Sequence, residues 1–229
     1  MVHFNWLQLV HGVGHEYTHV ATAMAVTAFL VVASVVGRLA LGSPESALQP
    51  AGSFSIRGIF EVCVEFVLNL VEMVIGEKGK TFLPLFGAIF VYVLINNLVG
   101  LLPGMTPATD NANTTIAVGL FVFVAYNFLG LRENGFGYLK HFLGPMLVLA
   151  PLMLPIELIS HLVRPVSLGL RLAGNMTGDH TVLGIFLDLT KLFVPVIFYG
   201  LGLFVCFVQA FVFTLLSMVY VSMATAHDH

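Results

Sequence analysis

The sequence predicts an all-α membrane protein, and three observations carry that prediction. Of its 229 residues, 58% are apolar and only 9% are charged, with a mean hydropathy of +0.97. A soluble domain carries about 25% charged residues. Apolar runs long enough to cross a bilayer, ~20 residues each, recur along the chain. Where polar residues interrupt those runs, they return every three or four positions, which is the helical period. The expected architecture has about five transmembrane helices plus one amphipathic surface helix, the last two helices long and strongly tilted. It forms a single integral membrane domain over 1–229, with 1–17 as an outer N-terminal segment, 54–76 as the amphipathic helix and 142–226 as a long helix pair.

Thr18 to Gly37 is free of Asp, Glu, Lys and Arg and gives the first span. Thr81 to Leu102 gives the second and Thr114 to Leu131 the third. The turn Pro103-Gly104-Met105-Thr106-Pro107 ends the second span. The helix after it finds its cap in the Asn113-Thr114 region. Phe54 to Ile75 differs, because Arg57, Glu61, Glu65, Asn69 and Glu72 draw one polar stripe along an apolar helix. Such a helix lies along a membrane surface. The alternative is a span whose stripe faces partners.

Phe142 to about Val182 reads as helical, with bends at Pro145, Pro151, Pro155 and Pro165. Leu192 to Ala226 is 35 residues with no acid and no strong base. At ~1.5 Å per residue this is roughly 52 Å of helix. A single crossing of a ~30 Å core then tilts by about 50°. The alternative is a hairpin in each long segment, but no Gly-Pro or Asn-Gly turn interrupts the second.

Five crossings place the termini on opposite sides. Arg38, Arg57, Lys78, Lys80, Arg132 and Lys140 fall on one side and Lys191 on the other, with Arg164 and Arg171 inside a span. The positive-inside bias then puts the N-terminus outside and the C-terminus in the cytoplasm.

Charge inside a membrane costs about 2.5–3.5 kcal/mol for an Arg at a helix centre, so it marks a pathway. Glu157, Ser160, His161, Arg164, Ser167, Arg171, Asn175 and Asp179 form one stripe along the penultimate helix. From Glu157 to Asp179 is roughly 33 Å, about one membrane thickness. The stripe is a candidate ion path; the alternative is a buried salt-bridge seam, for example Glu157 with Arg164. On the last helix the isolated amide of Gln209 needs a partner, and Arg171, with five donors, is the natural one. Gly169, Gly174 and Gly178 leave room for a helix to approach, from this chain or another.

Weaker signals have plainer explanations. Asn96 and Asn97 fit helix-packing hydrogen bonds better than an ion site. Asp110 serves equally well as a cap or as part of an outer mouth. Cys63 and Cys206 lie far apart in apolar segments and make no redox or metal motif. His15-Glu16-Tyr17-Thr18-His19 is formally a zinc-protease string, and His11, His15 and His19 repeat at four. Gly12 and Gly14 argue against a helix there, so the string is a chance match and no metal is expected. No phosphate loop, nucleophile elbow or basic run is present. Cofactors, hydrolase chemistry and nucleic acid are therefore not expected. Without inverted repeats or broken half-helices, a lone secondary transporter is also disfavoured.

The stretch Arg164-Pro165-Val166-Ser167-Leu168-Gly169-Leu170-Arg171-Leu172-Ala173-Gly174-Asn175-Met176 closely resembles the signature of subunit a of F-type ATP synthases of the bacterial type. Val208 to Phe213 and Tyr220 to Ala224 resemble the same family. So do Asn97 to Pro103, and Pro107 to Thr115. The resemblance covers roughly Phe60 to the C-terminus. It implies a non-catalytic, ion-translocating stator subunit in the bacterial inner membrane. Its implied partners are the c-ring, the peripheral-stalk b subunits, the lipid bilayer and translocated H⁺ or Na⁺. By the same resemblance Arg171 is the essential stator arginine, with Gln209 and Asn175 beside it. Glu157 and Ser160 match the cytoplasmic half-channel, to which His161 and Arg164 are added from the stripe. His180 stands where many bacterial members carry a glutamate, and Gly202 where they carry a histidine. That departure implies an outer half-channel built on His180, with Asp179 and Asp110.

If the His15–His19 string is accidental, replacing both histidines by Ala leaves ATP synthesis by membrane vesicles largely intact. A severe loss of synthesis in that variant contradicts the assignment.

Overall fold

The computed structural model describes residues 6, 14, 17–40, 56–102, 104–135, 150–189 and 193–225. They form α1 (Thr18–Ala40), α2 (Ile56–Val74), α3 (Leu83–Val99), α4 (Ala112–Asn134), α5 (Ala150–Leu189) and α6 (Phe193–Thr225). Short 3-10 turns at Glu77–Phe82 and Ala108–Asp110 lead into α3 and α4. Among the described residues there is no strand. Five stretches are long and apolar enough to cross a membrane: Thr18–Arg38, Glu77–Val99, Ala112–Asn134, Met153–Leu187 and Pro195–Thr225. The amphipathic α2 is not one of them, so the expected count of five plus one holds.

Local chemistry sets the boundaries. Pro84 lies in the first turn of α3, where its missing N–H costs nothing. α4 is capped by Asn111, whose side-chain oxygen accepts from the Asn113 amide at 2.9 Å. The cap therefore sits two residues before the expected Asn113, because the helix already begins at Ala112. Gly135 follows α4 with φ 55°, a conformation that favours glycine.

Both long segments are single helices, of 40 and 33 residues, and the hairpin alternative is excluded. α5 carries Pro155 and Pro165 in its interior without a break, and Pro151 falls at its second residue, where proline is tolerated. In membrane helices neighbouring elements re-satisfy the backbone that a proline frees. Pro145, Pro103, Lys140, Lys191, His11 and His15 lie outside the described residues.

The core is where α2 to α6 meet. Val67 and Val71 of α2, Phe86, Phe90 and Val93 of α3, and Tyr126 of α4 are buried there. They pack with Leu168, Leu172 and Met176 of α5 and Phe213 and Met218 of α6. The apolar face of α2 thus packs on the bundle while Glu65, Asn69 and Glu72 stay exposed. Glu72 meets Lys80 at 3.0 Å. Cys206 is buried in this core and Cys63 is half-buried, where burial pushes its thiol up and keeps it protonated.

α1 stands at the margin, with Met24, Phe29, Val32 and Val36 exposed. It is tied at one end, where the Thr22 hydroxyl donates to the Thr106 carbonyl at 3.2 Å. The Trp6 amide donates to the Gly104 carbonyl at 3.0 Å, at the same turn.

α4 and α5 approach to backbone contact. A methyl at Gly119 would lie 2.5 Å from the Pro165 carbonyl oxygen, and one at Gly169 would lie 2.7 Å from the Ile116 Cα. Both obstacles are backbone and cannot rotate away. Gly119→Ala should therefore destabilise the chain by about 1–3 kcal/mol, the usual cost of overpacking. Gly87→Ala, where a methyl meets nothing within 4 Å, should be neutral. Thermal unfolding of the two variants in detergent checks this.

Candidate functional site

α5 packs against α4 on one side and α6 on the other. Its polar residues therefore divide among three surroundings, although they share one stripe.

At one end, Glu157 and Arg164 pair at 3.7 Å, both part-exposed. The Arg164 guanidinium also lies 5.7 Å from the centre of the Tyr220 ring of α6. A long pair in partial contact with solvent is worth little as a staple. It does hold a carboxylate and a cation in fixed relation at the mouth between α5 and α6. Ser160 is exposed. His161 is 6% exposed and turned towards α4. Its Nε2 lies 2.9 Å from the Asn127 Oδ1 and 3.2 Å from the Tyr126 hydroxyl, with the Phe123 ring edge-on at 5.2 Å. The sequence reading missed Tyr126 and Asn127. The signal was available: an amide inside an otherwise apolar span needs a partner.

At the other end, α3, α5, α6 and the Ala108–Asp110 turn converge. The Asn97 amide donates to the Cys206 carbonyl at 3.3 Å, and the Thr109 hydroxyl donates to the Asn97 Oδ1 at 2.8 Å. Asn97 is thus a packing residue, as expected. Asn96 is buried as well, and its amide donates within its own helix, to the Tyr92 carbonyl at 2.9 Å. The Thr177 hydroxyl donates to the Asp110 carbonyl at 3.2 Å, tying the turn to α5. Asp110, Asp179 and His180 are gathered here, each part-buried. Among the described residues, the Asp110 Oδ1 and Asp179 Oδ2 atoms are buried without a hydrogen-bond partner. Buried carboxylate oxygens need water, a proton or an ion.

Between the two ends lies Arg171, exposed on α5. Among the described residues its guanidinium makes no ion pair and no hydrogen bond. The expected Gln209 contact goes elsewhere. Gln209 is 4% exposed, and its side-chain oxygen accepts from the Asn175 amide at 2.7 Å. Asn175, one turn further along α5, is the residue that reaches Gln209 of α6. Beyond Arg171, Gly174 and Gly178 are exposed, and a methyl on either would meet nothing within 4 Å. With Thr177, Thr181 and Asp110 they line an open groove of about 620 Å³. Gly169 does admit a helix of this chain, α4, whereas no described residue comes within 4 Å of a methyl at Gly174 or Gly178. Leu168, Leu172 and Met176 turn inward and are fully buried.

The ATP synthase A chain family matches residues 20–222. The chain belongs to that family. Every candidate residue from Asp110 to Gln209 falls inside the matched stretch. The chain is 60% identical over 227 residues, 99% of both proteins, to ATP synthase subunit a of Bdellovibrio bacteriovorus. It is 43% identical over 204 residues, 89% of this chain and 85% of the relative, to ATP synthase subunit a of Trichlorobacter lovleyi. A further likeness, 43% over 209 residues, is to ATP synthase subunit a of Geobacter sulfurreducens. As a member of the ATP synthase A chain family with several apolar spans, this is a multi-pass membrane protein of ATP synthesis and ion transport.

The Asn175–Gln209 bond can be weighed directly. Buried polar pairs within membranes couple by about 0.6 kcal/mol, at most about 1.7. A double-mutant cycle of Asn175→Ala and Gln209→Ala, read by unfolding in detergent, should give a coupling in that range. Pairing Arg171→Ala with Gln209→Ala should give none.

Proposed function

We propose that the chain is the stator subunit of the membrane sector of an F-type ATP synthase. It supplies two aqueous half-channels that carry ions to and from the carboxylates of a rotating c-ring. One observation carries this reading: Arg171 is a permanent charge on an exposed helix face with no counter-charge among the described residues. A cation so placed calls for an anion from another chain. Two polar clusters flank it along α5, roughly 21 Å away at Glu157 and roughly 12 Å away at Asp179. Apolar residues fill the bundle behind it.

A proton enters from outside past Asp110, Asp179 and His180 and neutralises a ring carboxylate. The neutral acid can face lipid, which a carboxylate cannot do cheaply. After nearly a full turn it reaches the inner half-channel. There Arg171 favours the ionised form and lowers the affinity of the carboxylate for its proton. The proton leaves towards Glu157, Ser160 and Arg164. His161, turned towards α4, holds the wall of this channel. The fixed positive charge of Arg171 repels a proton moving straight from one half-channel to the other. Each charge gains about 2.3 kcal/mol per 100 mV of membrane potential. Asn175 and Gln209 hold α5 and α6 together beside the arginine. The chain itself makes and breaks no covalent bond.

The remaining partners follow from the same reading. Peripheral-stalk b subunits hold the chain against rotation, and the exposed faces of α1 and α4 meet lipid. The N-terminus lies outside and the C-terminus in the cytoplasm of the bacterial inner membrane. The ion is H⁺ or Na⁺, and protection of the ring from carbodiimide by Na⁺ distinguishes them.

Arg171→Ala in membrane vesicles should abolish ATP-driven ion pumping, with the chain still present in the complex. Arg171→Lys keeps the charge but loses the planar fork and gains a proton that can leave, so it too should pump poorly. Pumping by Arg171→Ala at near the wild-type rate overturns the stator reading.

A further inference from the structure

Asp179 and His180 are adjacent on α5 and point to different neighbours. Each meets a glycine. The place where a side chain on Gly202 of α6 would begin is taken by the Asp179 carboxylate, 2.9 Å from its Oδ2, and by the Leu101 Cδ2 at 2.8 Å. The corresponding place at Gly100, just after α3, is filled by the His180 imidazole, with the Pro107 Cγ 2.7 Å away. Neither glycine is there for its backbone. Gly100 has φ −67°, open to any residue, and Gly202 lies within the helical run of α6. Other glycines on the same elements face empty space, Gly87 on α3 and Gly200 on α6 among them.

We propose that Gly100 and Gly202 are positioning residues of the ion path: they are the seats that hold the His180 imidazole and the Asp179 carboxylate in line at the outer end of α5. This rests on the half-channel reading above and assigns a role to two residues that carry no ionisable group. The seats come from opposite sides, one from α3 and one from α6. Together they fix the two relay groups against each other and against the Asp110 turn. The consequence of filling a seat differs from that of filling Gly119. At Gly119 the obstacle is backbone, so the fold suffers. At Gly202 both obstacles are the free ends of side chains, which can swing away. The helix pair then survives and the carboxylate moves. At Gly100 the imidazole can swing but the Pro107 ring cannot, so both effects are present.

The test uses the assembled complex in membrane vesicles. The amount of chain in the complex is measured first. Passive proton conduction is then recorded across a range of pH after the catalytic sector is stripped off. The variants are Gly202→Ala, Gly100→Ala and Gly87→Ala, with Asp179→Ala and His180→Ala alongside. Gly202→Ala is expected to assemble normally, to conduct about tenfold less or worse, and to show a shifted pH profile; a misplacement of ~1 Å can cost about 10²-fold in a positioned reaction. Gly100→Ala is expected to lose conduction and shift the pH profile in the same way, and in addition to lower the amount of chain in the complex, because the Pro107 ring cannot move aside. Gly87→Ala is expected to match the wild type in all three readings.

Wild-type conduction and pH profile in Gly202→Ala overturn the proposal, provided Asp179→Ala and His180→Ala conduct poorly. If those two also conduct normally, the outer half-channel reading fails with it. Where Gly100→Ala does not assemble, the double variant Gly100→Ala/His180→Ala decides. Restored assembly shows that the imidazole is what the methyl displaces, and continued failure shows a glycine that serves only the packing of Pro107.

Discussion

A guanidinium that cannot lose its proton, halfway along a 40-residue apolar helix, sets the terms for the rest of the structure. In hydrocarbon such a charge needs a counter-charge, water or both. Among the described residues the first is missing: Glu157 is taken by Arg164, and Asp179 lies two turns away against Gly202. The bundle then supports the exposed charge by making α5 rigid. Gly119 and Gly169 bring α4 into backbone contact with it, His161 bonds across to α4, and Asn175 bonds across to α6. Each of these holds the helix without touching the arginine. The result is a fixed cation on a face whose neighbouring positions, Gly174 and Gly178, have no side chain to obstruct a partner.

The two polar ends differ in physical character. The Glu157 end pairs its acid with a cation and an aromatic ring and stays part-exposed, as suits a mouth open to water. The Asp179 end buries carboxylate oxygens beside an imidazole and closes around them with Asn97, Thr109 and Leu101. By the distribution of Lys and Arg, the Asp179 end is the one expected to lie outside.

Much of this was legible in the residue order, because the signals there are local. Apolar run length gave the five spans, and the spacing of Glu61, Glu65, Asn69 and Glu72 gave the amphipathic α2. The polar stripe on α5 was also readable, because helical period alone places its members. What spacing does not encode is which neighbour each member faces. His161 and Arg164 are three residues apart and part company, one to α4 and one to α6. Donor strength alone pairs Gln209 with Arg171, whereas the structure pairs it with Asn175, one turn further along the same face of α5. The seats at Gly100 and Gly202 were invisible for a related reason: a glycine kept for space looks no different in sequence from one kept for flexibility, and only the packed neighbour tells them apart.

The central claim is that the Arg171 face of α5 meets the carboxylate-bearing helix of the ring. Cysteine cross-linking in assembled membranes tests it most directly. Gly174→Cys and Gly178→Cys, one and two turns from Arg171 on its exposed side, should form disulfides with cysteines placed next to the ring carboxylate. Phe121→Cys and Val124→Cys, on the exposed side of α4, should not. Cross-links confined to the α4 positions, with none at 174 or 178, would contradict the account.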